Sequence, residues 1–127
     1  MIISTVLILA ETKRKNEILK ILFSVKGPTE GKVDCSSCRI YQEVGNDHLI
    51  TYEEVWEKEE SLYQHIRSDL YPKILAAMDL SSEPPEIKFR SVSRTQGMEL
   101  IREVLGFLDI EEVERKRARL ERPARSQ

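Results

Sequence analysis

Residues 49–78 read LITYEEVWEKEESLYQHIRSDLYPKILAAM, and the rest of the chain is organised around this stretch. Its first part, up to Trp56, is rich in β-branched and aromatic side chains and predicts a strand. Apolar residues then recur at helical spacing, which predicts a helix. Pro72 does not fit the middle of a helix, so we expect a break near Ser68 or Asp69, either of which can cap a second segment.

The same signals predict further elements on both sides of this stretch. Strands are expected at residues 2–9, 35–44, 48–56 and 86–93, and helices at residues 13–26, 58–78 and from Thr95 onward. Thr12 is a suitable N-cap for the first helix, and Gly27 with Pro28 is expected to end it. The order strand–helix–strand–strand–helix–strand predicts a ferredoxin-like α+β fold with an antiparallel sheet, followed by a C-terminal helix.

The first and third strands carry apolar residues on both faces. In the first strand, Val6 and Ile8 share one face, while Leu7 and Leu9 share the other. Helices cover only one face of a ferredoxin-like sheet, so another surface must cover the second face. The simplest cover is a second copy of the chain, which predicts a homodimer through the sheet face, a dimeric α+β barrel.

Length and charge limit the classes of function. A chain of 127 residues is most simply one domain, which we place at residues 1–108. Residues 109–127 form a charged tail in which acids dilute the basic residues, and the net charge of the chain is −2. We therefore expect a solvated helix or frayed tail, and no nucleic-acid partner.

The apolar start, MIISTVLILA, raises the question of a signal peptide. No basic residue precedes this run, and it is too short to span a bilayer as a helix. Its β-branched residues favour a strand instead. These features predict a cytoplasmic protein without membrane association.

Cys35 and Cys38 form a lone CxxC pair. Structural zinc requires four ligands, so this pair predicts no metal site. In a regular strand, positions three apart point to opposite faces and lie roughly 10 Å apart, which a disulfide cannot span. The expectation is two reduced cysteines packed in or beside the sheet.

Four segments together carry a resemblance to a known family. They are GKVDCSSCRIYQEV (31–44), TYEEVWEKEESL (51–62), YQHIRSDLYPKILAAM (63–78) and PPEIKFRSVSRTQGMELI (84–101). In this order they resemble the antibiotic biosynthesis monooxygenase (ABM) domain family, over about residues 2–105. The family pattern E-x-W-x-x-x-x-x-L-x-x-H is met by Glu54, Trp56, Leu62 and His65.

The resemblance implies a pocket between the helices and the sheet of each subunit. Family members include cofactor-free oxygenases of anthrones and quinols, haem-degrading enzymes and an isomerase of a phosphorylated molecule. The resemblance thus implies a monooxygenase that oxidises a small quinol-like or polyphenolic substrate with dioxygen, without metal or flavin. Deprotonating such a substrate gives an electron-rich anion that can itself reduce dioxygen, so the protein need only bind it, take a proton and stabilise the charge.

His65 is the predicted catalytic base, because an imidazole titrates near working pH. Asp69, one turn on, would orient it, or would pair with it for stability alone. Substrate-binding residues are predicted on the strand and helix around it, namely Trp56, Glu54, Tyr52 and Tyr71. The structural alternatives are a core role for Trp56 and a pair across the sheet between Glu54 and a lysine or arginine.

Two other functions on the same fold remain open. A non-catalytic ligand-binding or interaction module would have a filled pocket, with His65 and Glu54 pointing to solvent. An isomerase of a phosphorylated metabolite would need a basic pocket, for which Arg39 and Arg90 qualify only if they face inward.

Haem turnover does not suit the sequence. The haem-degrading branch needs an asparagine on the first strand, which is absent. It also needs a tryptophan and a histidine ligand where this chain has His65 and Leu75.

Overall fold

The first of two units, residues 1–93, contains a four-stranded sheet and three helices. The computed structural model describes residues 1–106 and 110–121, and the chain divides between Ser93 and Arg94. The elements of the first unit are β1 (Ile2–Leu9), α1 (Thr12–Glu30), β2 (Cys35–Glu43), β3 (Asn46–Trp56), α2 (Glu59–Arg67), α3 (Tyr71–Asp79) and β4 (Glu86–Ser91).

The sheet has the order β2-β3-β1-β4, and every neighbouring pair is antiparallel. This order confirms the predicted ferredoxin-like α+β arrangement. Alternate residues of β1 and β3 are buried, and they pack against α1 and α3 in one core. On α1, Ile18, Leu22 and Val25 are fully buried, and burial of each such side chain stabilises the fold by about 1.5–3 kcal/mol.

The first helix is longer than predicted. Gly27 and Pro28 were expected to end it, but α1 continues through both residues to Glu30. In the last turn, Thr29 is fully buried and the Gly31 amide donates to the Gly27 carbonyl at 3.2 Å. The backbone angle of proline suits a helix, so Pro28 removes one hydrogen bond without ending the helix. The predicted cap was also wrong: Thr12 is the first helical residue and follows Glu11 at the cap position.

The predicted break within the second helical stretch is confirmed. α2 ends at Arg67 and α3 begins at Tyr71, which places Pro72 in the first turn of α3, where its missing amide proton costs nothing. The expected capping by Ser68 or Asp69 was wrong, because the cap position of α3 is Leu70, with no side-chain hydrogen bond.

The two cysteines share one face of the sheet, contrary to the prediction. A bulge between Cys35 and Ser37 inserts one extra residue into β2, so Cys35 pairs with Trp56 and Cys38 with Glu54. Since those two β3 residues point toward the helices, both cysteines do too. Both are free thiols, as predicted; Cys38 is buried and Cys35 half-buried.

The other face of the sheet is only partly covered by the first unit. Its centre is apolar and half-buried, formed by Ile3, Leu7, Leu9, Leu49 and Val55. Arg39 and Arg90 lie on this face as well, because they pair with Glu53 and Ile3. This is the surface that the sequence assigned to a second copy.

The second unit, residues 94–127, contains α4 (Met98–Leu105) and α5 (Ile110–Glu121). α4 begins three residues later than the predicted start at Thr95, and the predicted domain boundary at Leu108 falls outside the described residues. In the described ranges, no helix is both long and apolar enough to cross a membrane.

Candidate active site

The carboxylate of Glu54 lies buried between the sheet and the helices, 2% exposed. Because strand residues two apart share a face, Tyr52 and Trp56 flank it on β3. The Tyr52 hydroxyl donates to Oε2 at 2.6 Å, and the Trp56 indole donates to Oε1 at 3.0 Å. His65 supplies a third contact, since its Nε2 lies 2.8 Å from Oε2. These three contacts supply hydrogen-bond partners to both oxygens of the buried carboxylate.

His65 is held at both ring nitrogens. It is 1% exposed, and its Nδ1 lies 2.8 Å from Nζ of Lys32. A lysine ammonium can only donate, so Nδ1 accepts, and the ring proton resides on Nε2 and is donated to Glu54. The result is a neutral imidazole between a carboxylate and an ammonium.

Two aromatic rings fix the plane of this imidazole. The Trp56 ring centroid lies 5.0 Å from that of His65, and the Tyr71 ring centroid lies 5.5 Å away. Both contacts are tilted, as favourable aromatic pairs commonly are. The imidazole is therefore restrained by packing as well as by hydrogen bonds.

Lys32 and Ser68 complete the network on its outer side. Nζ of Lys32 donates to the Ser68 hydroxyl at 3.0 Å. That hydroxyl donates in turn to the His65 carbonyl at 2.6 Å, at the end of α2. The break between α2 and α3 thus positions Ser68 to support the lysine.

A cleft of about 630 Å³ opens beside His65, a size within the range of small-molecule sites. Its wall combines polar and apolar surface and includes Lys32, Asp34, Trp56, Ser61, Gln64 and His65. Among the described residues, no group of three or more His, Cys, Asp and Glu side chains is placed to hold a metal ion.

A smaller cleft of about 270 Å³ lies on the other flank of α2. Its lining is mainly hydrocarbon, from Ile2, Leu62, Ile66 and Phe89. This smaller cleft lacks an arrangement of acid and base groups such as the one around His65. The cleft beside His65 is therefore the candidate active site.

Burial keeps the tyrosines and the thiol of this network protonated. Burial, followed by the charge of Glu54, raises the pKa of Tyr52 above its usual range and that of Tyr71 to about 12. Burial also raises the pKa of the Cys38 thiol to about 12, and this thiol donates to the Tyr52 hydroxyl at 3.3 Å. Tyr52 therefore acts as a permanent donor to Glu54.

The structure brings all five predicted site residues together. His65 and Trp56 line the cleft. Glu54, Tyr52 and Tyr71 lie behind His65 in the protein interior. Their predicted roles in substrate binding and catalysis stay predictions.

The predicted partner of His65 was wrong, and one important residue was missed. Neither ring nitrogen contacts Asp69, because Glu54 and Lys32 occupy them. The structural alternative for Glu54, a pair with a lysine or arginine across the sheet, does not form, because Tyr52, Trp56 and His65 contact its carboxylate instead. Lys32 was overlooked because a lysine in a polar loop gives no sequence signal of a contact with a residue 33 positions away.

Solved structures with the same fold give the comparison. A conserved protein from Methanosarcina mazei Go1 matches with a TM-score of 0.65 and 27% identity, over 70% of this chain and 89% of its own. A candidate antibiotic biosynthesis monooxygenase from Deinococcus radiodurans matches with a TM-score of 0.69 and 12% identity, over 76% and 97%. One from Nitrosomonas europaea matches with a TM-score of 0.66 and 12% identity, over 74% and 100%.

No family model matches the sequence, and no curated protein matches it. The likeness to the two monooxygenase-like proteins, at 12% identity, is one of fold. The chain thus has the fold of the antibiotic biosynthesis monooxygenases, as its sequence motifs predicted.

Proposed function

We propose that this protein is a cofactor-independent monooxygenase of the antibiotic biosynthesis monooxygenase family, with His65 as its general base. Its substrate is a small quinol-like or polyphenolic aromatic molecule, and its co-substrate is dioxygen. The observation that carries the proposal is the 2.8 Å contact between His65 Nε2 and Glu54 Oε2, placed at the wall of an open cleft.

The His65–Glu54 pair supports proton abstraction through Nδ1. Nε2 already carries a proton and donates it to Glu54, so Nδ1 is the nitrogen with a lone pair. When Nδ1 takes a proton from a substrate hydroxyl, the imidazolium that forms is stabilised by the buried carboxylate beside it. Glu54 acts through His65 in this scheme and stays ionised.

The substrate supplies the electrons for the oxidation. Removal of its proton leaves an electron-rich anion, which reduces dioxygen directly. For an anthrone-type methylene, the carbon becomes a carbonyl and the second oxygen atom leaves as water, so four electrons pass from substrate to dioxygen. The residues of this chain bind the substrate, hold the proton and stabilise charge.

Trp56 supplies the aromatic wall of the proposed substrate site. Trp56 is fully buried but borders the cleft, and its indole N–H donates a hydrogen bond to Glu54. Its position is thereby fixed, and a flat aromatic substrate reaches its ring only when the side chains that cover it shift.

The two alternatives fit the geometry less well. A non-catalytic module predicts a filled pocket and solvent-facing His65 and Glu54, whereas the cleft is open and both side chains are buried. An isomerase of a phosphorylated metabolite needed Arg39 and Arg90 to face inward, but both lie on the sheet face away from the helices.

The proposal includes a homodimer through the open sheet face, in the cytoplasm. Half-buried apolar residues along β1 and β3 form a surface suited to a second copy. In such a dimer, each subunit keeps its own cleft, because the cleft lies on the helix side of the sheet.

A screen of quinols, anthrones and catechols with an oxygen-consumption readout tests the proposed reaction. We expect turnover of at least one such compound in air and none under anaerobic conditions. Use of ¹⁸O₂ should place labelled oxygen in the product. Turnover that proceeds at the same rate without oxygen contradicts the proposal.

A further inference from the structure

Lys32 places a positive charge in the wall of the cleft, and among the described residues its ammonium forms no direct ion pair. Its Nζ contacts two neutral acceptors, His65 Nδ1 at 2.8 Å and Ser68 Oγ at 3.0 Å. Among the described side chains, no carboxylate forms an ion pair with Lys32. A half-buried ammonium with only neutral acceptors favours the arrival of an anion.

The loop that carries Lys32 is fixed at several points. The Asp34 carbonyl accepts the Glu57 amide at 2.8 Å, and Asp34 Oδ2 accepts the Ser61 hydroxyl at 2.5 Å. Asp34 has a φ of 67°, in the left-handed region that aspartate tolerates better than most residues. The Lys32 backbone is therefore held against the start of α2, and its flexible side chain can move alone.

The contact with Lys32 also occupies the one ring nitrogen that is available as a base. Nε2 is committed to Glu54, and Nδ1 accepts from the ammonium. A substrate must therefore draw the ammonium away before Nδ1 can take its proton. An oxygen that gains negative charge does this, because a charge-assisted bond is stronger than the bond to a neutral imidazole.

We propose that Lys32 is the anion-binding residue of this cleft and selects hydroxyaromatic substrates with an acidic hydroxyl. The proton moves from that hydroxyl to His65 Nδ1, and the Lys32 ammonium pairs with the oxyanion left behind. This inference rests on the proposed function, since it assigns the substrate class of the same site. It makes Lys32 a specificity-determining residue for the cleft.

A matched pair of ligands tests the inference without turnover. 2-Hydroxy-1,4-naphthoquinone is an anion at neutral pH and mimics the deprotonated substrate, while 1,4-naphthoquinone has the same rings without the hydroxyl. Calorimetric titration should show that the native protein binds the anion about 10- to 100-fold more tightly than the neutral quinone. Lys32→Met should abolish this difference, and Lys32→Arg should retain most of it.

Two controls test whether the preference for the anion comes from Lys32 itself and not from positive charge in general. Lys58→Met removes an exposed lysine just before α2, and it should leave the preference for the anion unchanged. Inorganic phosphate is the third ligand, and it should displace the naphthoquinone anion only weakly. Thermal unfolding of each variant shows whether it is folded. If Lys32→Met is not folded, Lys32→Gln replaces it, because it removes the charge but keeps a hydrogen-bond donor, and it should also lose the preference for the anion.

Several results would overturn the inference. These are equal binding of the two quinones by the native protein, unchanged binding of the anion by Lys32→Met, or phosphate displacing the anion at equal concentration. If anion binding does not depend on Lys32 but oxygen is still consumed, this inference fails and the oxygenase proposal stands. Conversely, Lys32-dependent anion binding without any oxygen consumption would keep this site and remove the proposed reaction.

Discussion

Nε2 of His65 lies 2.8 Å from Oε2 of Glu54, in a pair whose side chains are almost completely buried. The two residues are 11 positions apart, on α2 and β3. The turn between these elements brings a basic ring against a carboxylate that already accepts from Tyr52 and Trp56. This relationship fixes which ring nitrogen of His65 is protonated.

The tautomer of His65 is a testable consequence. ¹⁵N NMR of the ligand-free protein should show a protonated Nε2 and an unprotonated Nδ1 at neutral pH. Lys32→Met should shift the Nδ1 resonance and leave Nε2 nearly unchanged, because the donor to Nδ1 is lost. A protonated Nδ1 in the native protein would contradict the assigned network.

Replacement of Glu54 should slow the reaction. Glu54→Gln removes the charge that stabilises the imidazolium, so kcat should fall on the order of 10²-fold with little change in KM. The amide group also meets three donors, which leaves one unsatisfied and should lower the free energy of unfolding by about 1–3 kcal/mol. Steady-state kinetics and urea unfolding measure the two effects.

Glu53→Gln is the matched control for this variant. Glu53 lies on the same strand but on the opposite face, where it pairs with Thr5 and Arg39. It should keep kcat within about twofold, because Glu53 points away from the helices and contacts neither His65 nor the cleft. Equal losses in the two variants would remove the special role of Glu54.

Stability should fall in alkaline solution. The pKa of Cys38 rises from the ordinary 9.0 of a thiol to about 12, and that of Tyr71 from 10.0 to about 12. A group whose pKa is raised on folding holds its proton more tightly in the folded state, so its contribution is lost as pH rises through this window. Urea unfolding should show a decline that begins near pH 9.

Cys38→Ala isolates the thiol in this decline. The variant should lose stability more gradually than the native protein between about pH 9 and pH 10, where the unfolded thiol ionises first. Identical slopes for the two proteins would show that the Cys38 thiol does not contribute.

The open sheet face predicts the oligomeric state. Leu7 lies at its centre, on β1 between Thr51 and Glu86 of the neighbouring strands. Leu7→Lys should convert a dimer to a monomer, because a buried unpaired charge at the interface is costly. Light scattering after gel filtration measures this. Ala76→Lys, on the exposed side of α3, is the control and should remain dimeric.

The fold was largely predictable from the sequence because its signals are local. Periodicity located all four strands, and Pro72 located the break between α2 and α3. The errors arose where tertiary packing overrides a local signal. Gly27 and Pro28 predicted the end of α1, but the helix continues to Glu30 and buries Thr29 in its last turn.

The site was predictable only in part. Alternation along β3 and the family motif identified Glu54, Trp56 and His65, but the contacts between them depend on how α2 packs on the sheet. The bulge that turns Cys35 and Cys38 to one face has no signature in the residues CSSC. The position of Lys32 depends on the loop after α1, whose path follows from the unexpected length of that helix.

The most direct test of the central claim compares oxygen consumption by His65→Ala and His48→Ala on one substrate identified by the screen. These are the two histidines of the chain, and His48 is exposed, away from the cleft. We predict that His65→Ala lowers kcat roughly 10²- to 10⁴-fold, as loss of a general base does, while His48→Ala keeps the native rate. Native-like oxygen consumption by a folded His65→Ala protein would contradict the proposal that His65 is the base.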